Sequence, residues 1–149
     1  MSVGQFVFML HSHLPYYRKA GMWPFGEENL YECMAETYIP LLNAISELYD
    51  EGIKAKLTVG ITPILAEQLN DQHLKEGFVK YVDSRIAQVS KDLERYPDPK
   101  VPHSQHLKYL AKYYFDWFTN IKNSFVNKYG MDLIAQFKKF QDLGCIEIT

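Results

Sequence analysis

The feature that most restricts this chain is a short apolar run, Gln5 to Leu10, that ends abruptly in His11-Ser12-His13-Leu14-Pro15. The run reads Phe-Val-Phe-Met-Leu after Gln5, with no polar alternation. Strands buried on both faces look like this, and they belong to parallel sheets. The strand closes in a polar tip followed by proline, which breaks it.

The rest of the chain supplies partners and crossovers. Ala55 to Gly60 reads as a second short strand, with Leu57 and Val59 on one face, and Cys145 to Thr149 as a third. Between the first two runs, Tyr16 to Gly26 is an irregular loop carrying Gly21, Pro24 and Gly26. Glu27 and Glu28 then open a helix, where acidic residues complement the macrodipole. Its apolar stripe is Leu30, Met34, Ile39, Leu42, Ile45 and Leu48. Pro40 removes a backbone donor and should kink or split it, and Gly52 is its expected C-cap. After the second run, Thr62-Pro63 fits an N-cap followed by proline in the first helical position. From Ile64 to about Asp142 the sequence reads helical, with breaks near Asn70-Asp71, at Tyr96 to Pro102 and at Gly130. Leu107, Leu110, Tyr114, Trp117, Ile121 and Phe125 mark its strongest apolar face. Gly144 ends the last helix.

Strand, helix, strand, long helical excursion, strand: this order implies parallel strands joined by right-handed crossovers. The second crossover, about residues 64–142, is far longer than usual, and is expected to pack beside the sheet or to form a lid. The third strand stops at Thr149, which would leave an open sheet edge and an uncovered face. On this reading the chain is a fragment, or one piece of a split gene.

Composition narrows the function. Nearly half of the 149 residues are apolar (47%), which excludes a disordered chain. A net charge of -2 with scattered lysines offers no footprint for nucleic acid or an acidic membrane surface. No stretch approaches a membrane-spanning length, and the apolar run before His11 is too short for a signal peptide. Cys33 and Cys145 form no CxxC motif, so reduced thiols in a cytoplasmic protein are the expectation. The aromatic content is high, with 11 Tyr, 9 Phe and 2 Trp. It fits either a core with tyrosines at its margin or a cleft that stacks rings on sugars.

The candidate chemistry lies at the strand ends. His11 and His13 are two apart, so both side chains point to one side. In parallel α/β barrels the C-terminal strand ends form the active face. Two imidazoles there can donate to sugar hydroxyls, hold a metal, shuttle protons or simply cap a strand. A metal would need a further ligand, and no local spacing nominates one. Trp23, between Met22 and Pro24 on the next loop, suits stacking on a pyranose ring or plugging the loop against the first helix. Thr62 and Pro63 share the histidines' face but also serve as a helix cap. His103 and His106 sit at a helix start with metal-compatible spacing that exposed histidines commonly show. His73 has no partner in view. Glycoside chemistry needs a carboxylate pair, and the strand ends offer none: Glu27 and Glu28 open a helix, and Glu147 lies within the last strand.

Three stretches together resemble one family. Phe8-Met9-Leu10-His11-Ser12-His13-Leu14-Pro15-Tyr16 is similar to the first signature motif of glycoside hydrolase family 57. Residues 21–28, continuing into 30–32 and 35–42, resemble the α-1,4-glucan branching enzymes of that family, as does Gly60-Ile61-Thr62-Pro63-Ile64-Leu65-Ala66-Glu67-Gln68-Leu69. The resemblance implies residues 1–149 as the N-terminal portion of a (β/α)7 barrel, with the long helical insertion after the second strand. It implies a retaining double displacement that cuts an α-1,4 linkage and builds an α-1,6 branch. It implies no cofactor and no metal, and an α-glucan partner together with the missing C-terminal part of the barrel. His11, His13 and Trp23 carry over as glucan-binding residues. The family's nucleophilic Glu and acid/base Asp are expected beyond Thr149, which leaves no catalytic residue in this chain. Two other readings stay open: a non-catalytic glucan-binding remnant, and a metal-dependent deacetylase or mannosidase on a related barrel.

Overall fold

The computed structural model describes residues 4, 6–96, 98, 100 and 102–149. Its centre is a three-stranded parallel sheet in the order β1-β2-β3, formed by β1 (Met9–Ser12), β2 (Leu57–Ile61) and β3 (Ile146–Ile148). Leu10 pairs with Val59, His11 with Gly60, and Val59 with Ile148. All three strands therefore run together, as the alternation of elements implies.

The first strand differs from its sequence reading. It begins at Met9 and carries His11 and Ser12 within it, and Gln5 lies outside the described residues. Nor is the run buried on both faces. Phe6, Val7, Phe8 and Met9 are 89, 76, 50 and 60% exposed. Continuous apolarity cannot distinguish a central strand from an edge strand, and β1 is an edge of this sheet. The second and third strands start two and one residues later than expected.

The helices cover one face. Val59 and Ile146 are buried in the core, and Leu57, Ile61 and Ile148 pack against it. These positions alternate along β2 and β3, so they share a side of the pleat. Against them lie α2 (Ile39–Asp50), α3 (Pro63–Asn70) and α6 (Leu133–Asp142), through buried Leu42, Ile45, Leu65, Leu69, Leu133, Phe137 and Phe140.

The first crossover starts in α1 (Glu27–Cys33), as the acidic pair predicts. The expected break at Pro40 takes a different form. A π-helical turn, Met34–Tyr38, precedes α2, and Pro40 sits in the first turn of α2. The helical backbone runs on from α1 through this turn into α2, with the Ile39 amide donating to the Met34 carbonyl, so the donor that Pro40 lacks falls just after the π-helical turn, where the ladder departs from its usual spacing.

The second crossover holds α3, α4 (Gln72–Arg95), α5 (Ser104–Asn123) and α6, with a second π-helical turn at Ser124–Lys128. Helices α4 and α5 run alongside one another, and Lys122 reaches Asp83 at 2.6 Å. The break between them includes Pro97, Pro99 and Val101, which lie outside the described residues. Along α5 and the turn after it the apolar stripe follows its predicted line except at Tyr114. Tyr114 is 47% exposed, whereas Ala111, Ile121 and Phe125 are buried.

Candidate functional site

The opposite face of the sheet is polar, and the same period of two builds it. Register places Met9, Thr58 and Glu147 in one row, and His11 beside Gly60 in the next. Gly60 is followed in that row by Thr149: a β-carbon on Gly60 would lie 3.3 Å from His11 Nδ1 and 3.6 Å from Thr149 Oγ1. Glycine therefore lets the His11 ring lie against the central strand end. Beyond it stand His13 and Thr62, with His13 Nδ1 and Thr62 Oγ1 3.3 Å apart.

The two histidines are together on this face, as their spacing predicts. Their rings lie 6.5 Å apart, inclined by 24°, and both residues are exposed. Thr62 combines its two readings. It takes the N-cap position of α3 with extended backbone, and it turns its hydroxyl to His13 rather than to the helix amides.

Sequence reasoning passed over Glu147 because it is not at a strand end. The register puts it on the histidine face, and Thr58 Oγ1 donates to its Oε2 at 3.5 Å. The signal was present in the alternation Thr58-Gly60-Thr62 and Glu147-Thr149, once those runs are read with a period of two. This face thus offers imidazole donors, hydroxyls and one exposed carboxylate acceptor, a set that matches the hydroxyls of a sugar.

Trp23 lies on the loop after β1 and is 78% exposed. Among the described residues its indole makes no ring contact with either histidine and none with α1, and the Trp23–Pro24 peptide is cis. The loop beneath it is firmly held. Buried Gln68 accepts from the Tyr17 amide at 2.7 Å and donates to the Pro15 carbonyl at 3.0 Å. Arg18 pairs with Asp71 at 2.6 Å. Glu27 Oε1 accepts from the Lys19 amide at 2.7 Å and from His73 Nε2 at 2.9 Å, and Oε2 accepts from the Tyr31 hydroxyl at 3.0 Å. Burial alone would raise the Glu27 carboxyl, but these three donors outweigh it and hold the group below its usual value. His73 accordingly has a partner, contrary to the sequence reading: a helix apart in sequence, it meets Glu27 only through the packing of α4 on α1.

His103 and His106 stay apart from this site, at the start of α5, where His106 stacks on Tyr109. Among the described residues no three His, Cys, Asp or Glu side chains are grouped to hold a metal. Cys33 and Cys145 are free thiols, and no described helix is long and apolar enough to cross a membrane.

The combination of a histidine-bearing first strand and this sheet can be set against known proteins. A model of glycosyl hydrolase family 57 matches residues 7–149. The chain belongs to glycosyl hydrolase family 57. Within the family it is 37% identical, over 147 residues, to a 1,4-alpha-glucan branching enzyme of Thermococcus kodakarensis. That match takes in 97% of this chain and 20% of the relative, so the chain spans about a fifth of its length. A probable 1,4-alpha-glucan branching enzyme of Mycobacterium tuberculosis is 42% identical over 74 residues, which is 50% of this chain and 14% of that protein. Among solved structures, the family 57 branching enzyme of Pyrococcus horikoshii superposes with a TM-score of 0.87 at 37% identity, over 95% of this chain and 26% of that one. An alpha-amylase of Thermotoga maritima superposes with a TM-score of 0.82 at 33% identity, over 96% and 26%. The fold described above is thus an α/β unit of three parallel strands and helices that resembles the N-terminal region of family 57 enzymes.

Proposed function

We propose that this chain is the substrate-binding N-terminal part of a 1,4-α-glucan branching enzyme, a retaining transglycosylase, and that residues 1–149 begin its (β/α)7 barrel. The observation that carries the reading is the polar sheet face of a family 57 chain, with His11, His13 and Thr62 towards the strand ends and Glu147 further back on the same face, in the row of Thr58. In this reading the imidazoles donate to the hydroxyls of one glucose unit, and Glu147 and Thr149 accept or donate beside them. Trp23, exposed on the following loop, stacks on a neighbouring ring. The carboxylate nucleophile and acid/base come from the chain segments that the full-length relatives have in addition. Residues 64–142 are then an insertion between the second and third strands. Two free thiols support a cytoplasmic setting, and an α-glucan such as glycogen as substrate follows from the branching reading.

Calorimetric titration with maltoheptaose tests this. The chain is expected to bind, and His11→Ala and His13→Ala to weaken binding at least tenfold, on the order of 1.4 kcal/mol or more. Unchanged affinity in both variants refutes the placement of the sugar. Branch formation by residues 1–149 alone would refute the claim that the catalytic carboxylates lie elsewhere. A second reading, hydrolysis instead of transfer, is favoured by the alpha-amylase superposition. It is separated by assaying the whole gene product on amylose for new α-1,6 linkages against released reducing ends.

A further inference from the structure

Glu27 is the first residue of α1, and helix-starting acids commonly do no more than complement the helix dipole. Glu27 is only 6% exposed and does more. Its backbone N–H donates to the Gly21 carbonyl at 2.8 Å, and the next amide, of Glu28, to the Met22 carbonyl at 3.2 Å. Its carboxylate reaches back across the same loop to the Lys19 amide. Lys19 is held at a φ of 60°, a left-handed conformation that a residue with a side chain keeps only when its surroundings impose it. The chain also passes over itself very closely here. A β-carbon on Gly26 would lie 2.0 Å from the Gly21 carbonyl oxygen, so only glycine fits. What this closed loop displays is apolar and solvent-facing: Met22, Trp23 and Phe25 are 51, 78 and 81% exposed.

We infer that Glu27 is a positioning residue, whose carboxylate and backbone amide together lock the loop that presents Trp23 and so set where a sugar ring can stack. The inference rests on the stacking role proposed above for Trp23. An exposed aromatic binds through a flat face held in advance, since ordering it during binding would subtract from affinity. Tyr31 and His73 then act through Glu27, by holding its two oxygens toward the loop.

The test uses the 149-residue chain with Trp117→Phe, which leaves Trp23 as the single tryptophan. Glu27→Ala is expected to lower the time-resolved fluorescence anisotropy of Trp23 and to weaken maltoheptaose binding at least tenfold, with far-UV circular dichroism unchanged. Glu27→Gln keeps an acceptor for the Lys19 amide and is expected to restore both to within threefold. A measurement on the unsubstituted chain guards against a variant that fails to fold. There, the Lys19, Glu27 and Glu28 amides should exchange hydrogen at least tenfold more slowly than the Trp23 amide. Equal Trp23 anisotropy in Glu27→Ala, or a fast-exchanging Lys19 amide, overturns the inference. A loosened Trp23 in a chain whose parent never binds maltoheptaose overturns the glucan reading instead, because the anisotropy is read without sugar.

Discussion

Replacing Gly77 with alanine gives a sharp test of how the Trp23 loop is supported. Gly77 lies in the interior of α4, where glycine costs about 1 kcal/mol relative to alanine. On helix propensity alone the change would stabilise. The packing predicts the reverse. A β-carbon at Gly77 would lie 2.0 Å from the Tyr31 hydroxyl oxygen and 2.8 Å from its ring carbon Cζ. Tyr31 cannot step aside, because it is fully buried among Phe78 and Tyr81 and donates to Glu27. Overpacking costs roughly 1–3 kcal/mol, and losing a hydrogen bond to a carboxylate costs about 1.5–3 kcal/mol. Against the gain in propensity, Gly77→Ala should therefore destabilise by roughly 2–5 kcal/mol. In a chain of this size that lowers the thermal midpoint by roughly 5–15 °C. Calorimetric melting measures it, and a cycle with Tyr31→Phe locates the cause. Removing the hydroxyl takes away the nearest clashing atom, so the double variant should be less destabilised than the two single changes added together, by about 1 kcal/mol or more. Additivity within about 0.5 kcal/mol, or a Gly77→Ala chain as stable as its parent, would refute the reasoning.

Two further outcomes follow from the same geometry. Gln68→Ala removes the side-chain partner of the Tyr17 amide and the Pro15 carbonyl, and should cost about 1–3 kcal/mol; trypsin cleavage after Arg18 and Lys19 should speed up at least tenfold, and an unchanged cleavage rate would show that the loop does not depend on Gln68. Burial, with Glu47 and Asp50 nearby, pushes the Tyr129 hydroxyl up to about 12. Because this group is harder to ionise when folded than its ordinary value of about 10, its contribution is fully present below that pH and is lost as pH rises toward 12. The thermal midpoint should fall across that window, and Tyr129→Phe should reduce the fall; an identical alkaline profile in the variant would refute the assignment.

The tertiary structure redraws two of the sequence expectations for physical reasons. A strand's burial depends on its neighbours, which a local apolar run does not name; Phe6 to Met9 read as interior but are exposed, ahead of and at the start of the edge strand β1. A residue's partner likewise depends on packing between elements distant in sequence. His73 and Glu27, 46 positions apart, illustrate this, as does Gln68 beneath Tyr17.

The first-strand motif with its two histidines, the helix starts at Glu27 and Pro63, and the parallel order of strands were all legible in the sequence, because each follows from local chemistry and periodicity: residue spacing, capping, and the reach of a crossover. Family membership rests on the same residues. What only the folded chain decided is the makeup of the site. Register alone sets His11 against Gly60 and Thr149 and brings Glu147 onto the histidine face. The packing of α4 on α1 adds His73 to the Lys19 amide and Tyr31 hydroxyl that the Glu27 carboxylate meets within its own loop and helix. Pairing and packing join groups far apart in sequence, and no local pattern encodes which groups will meet.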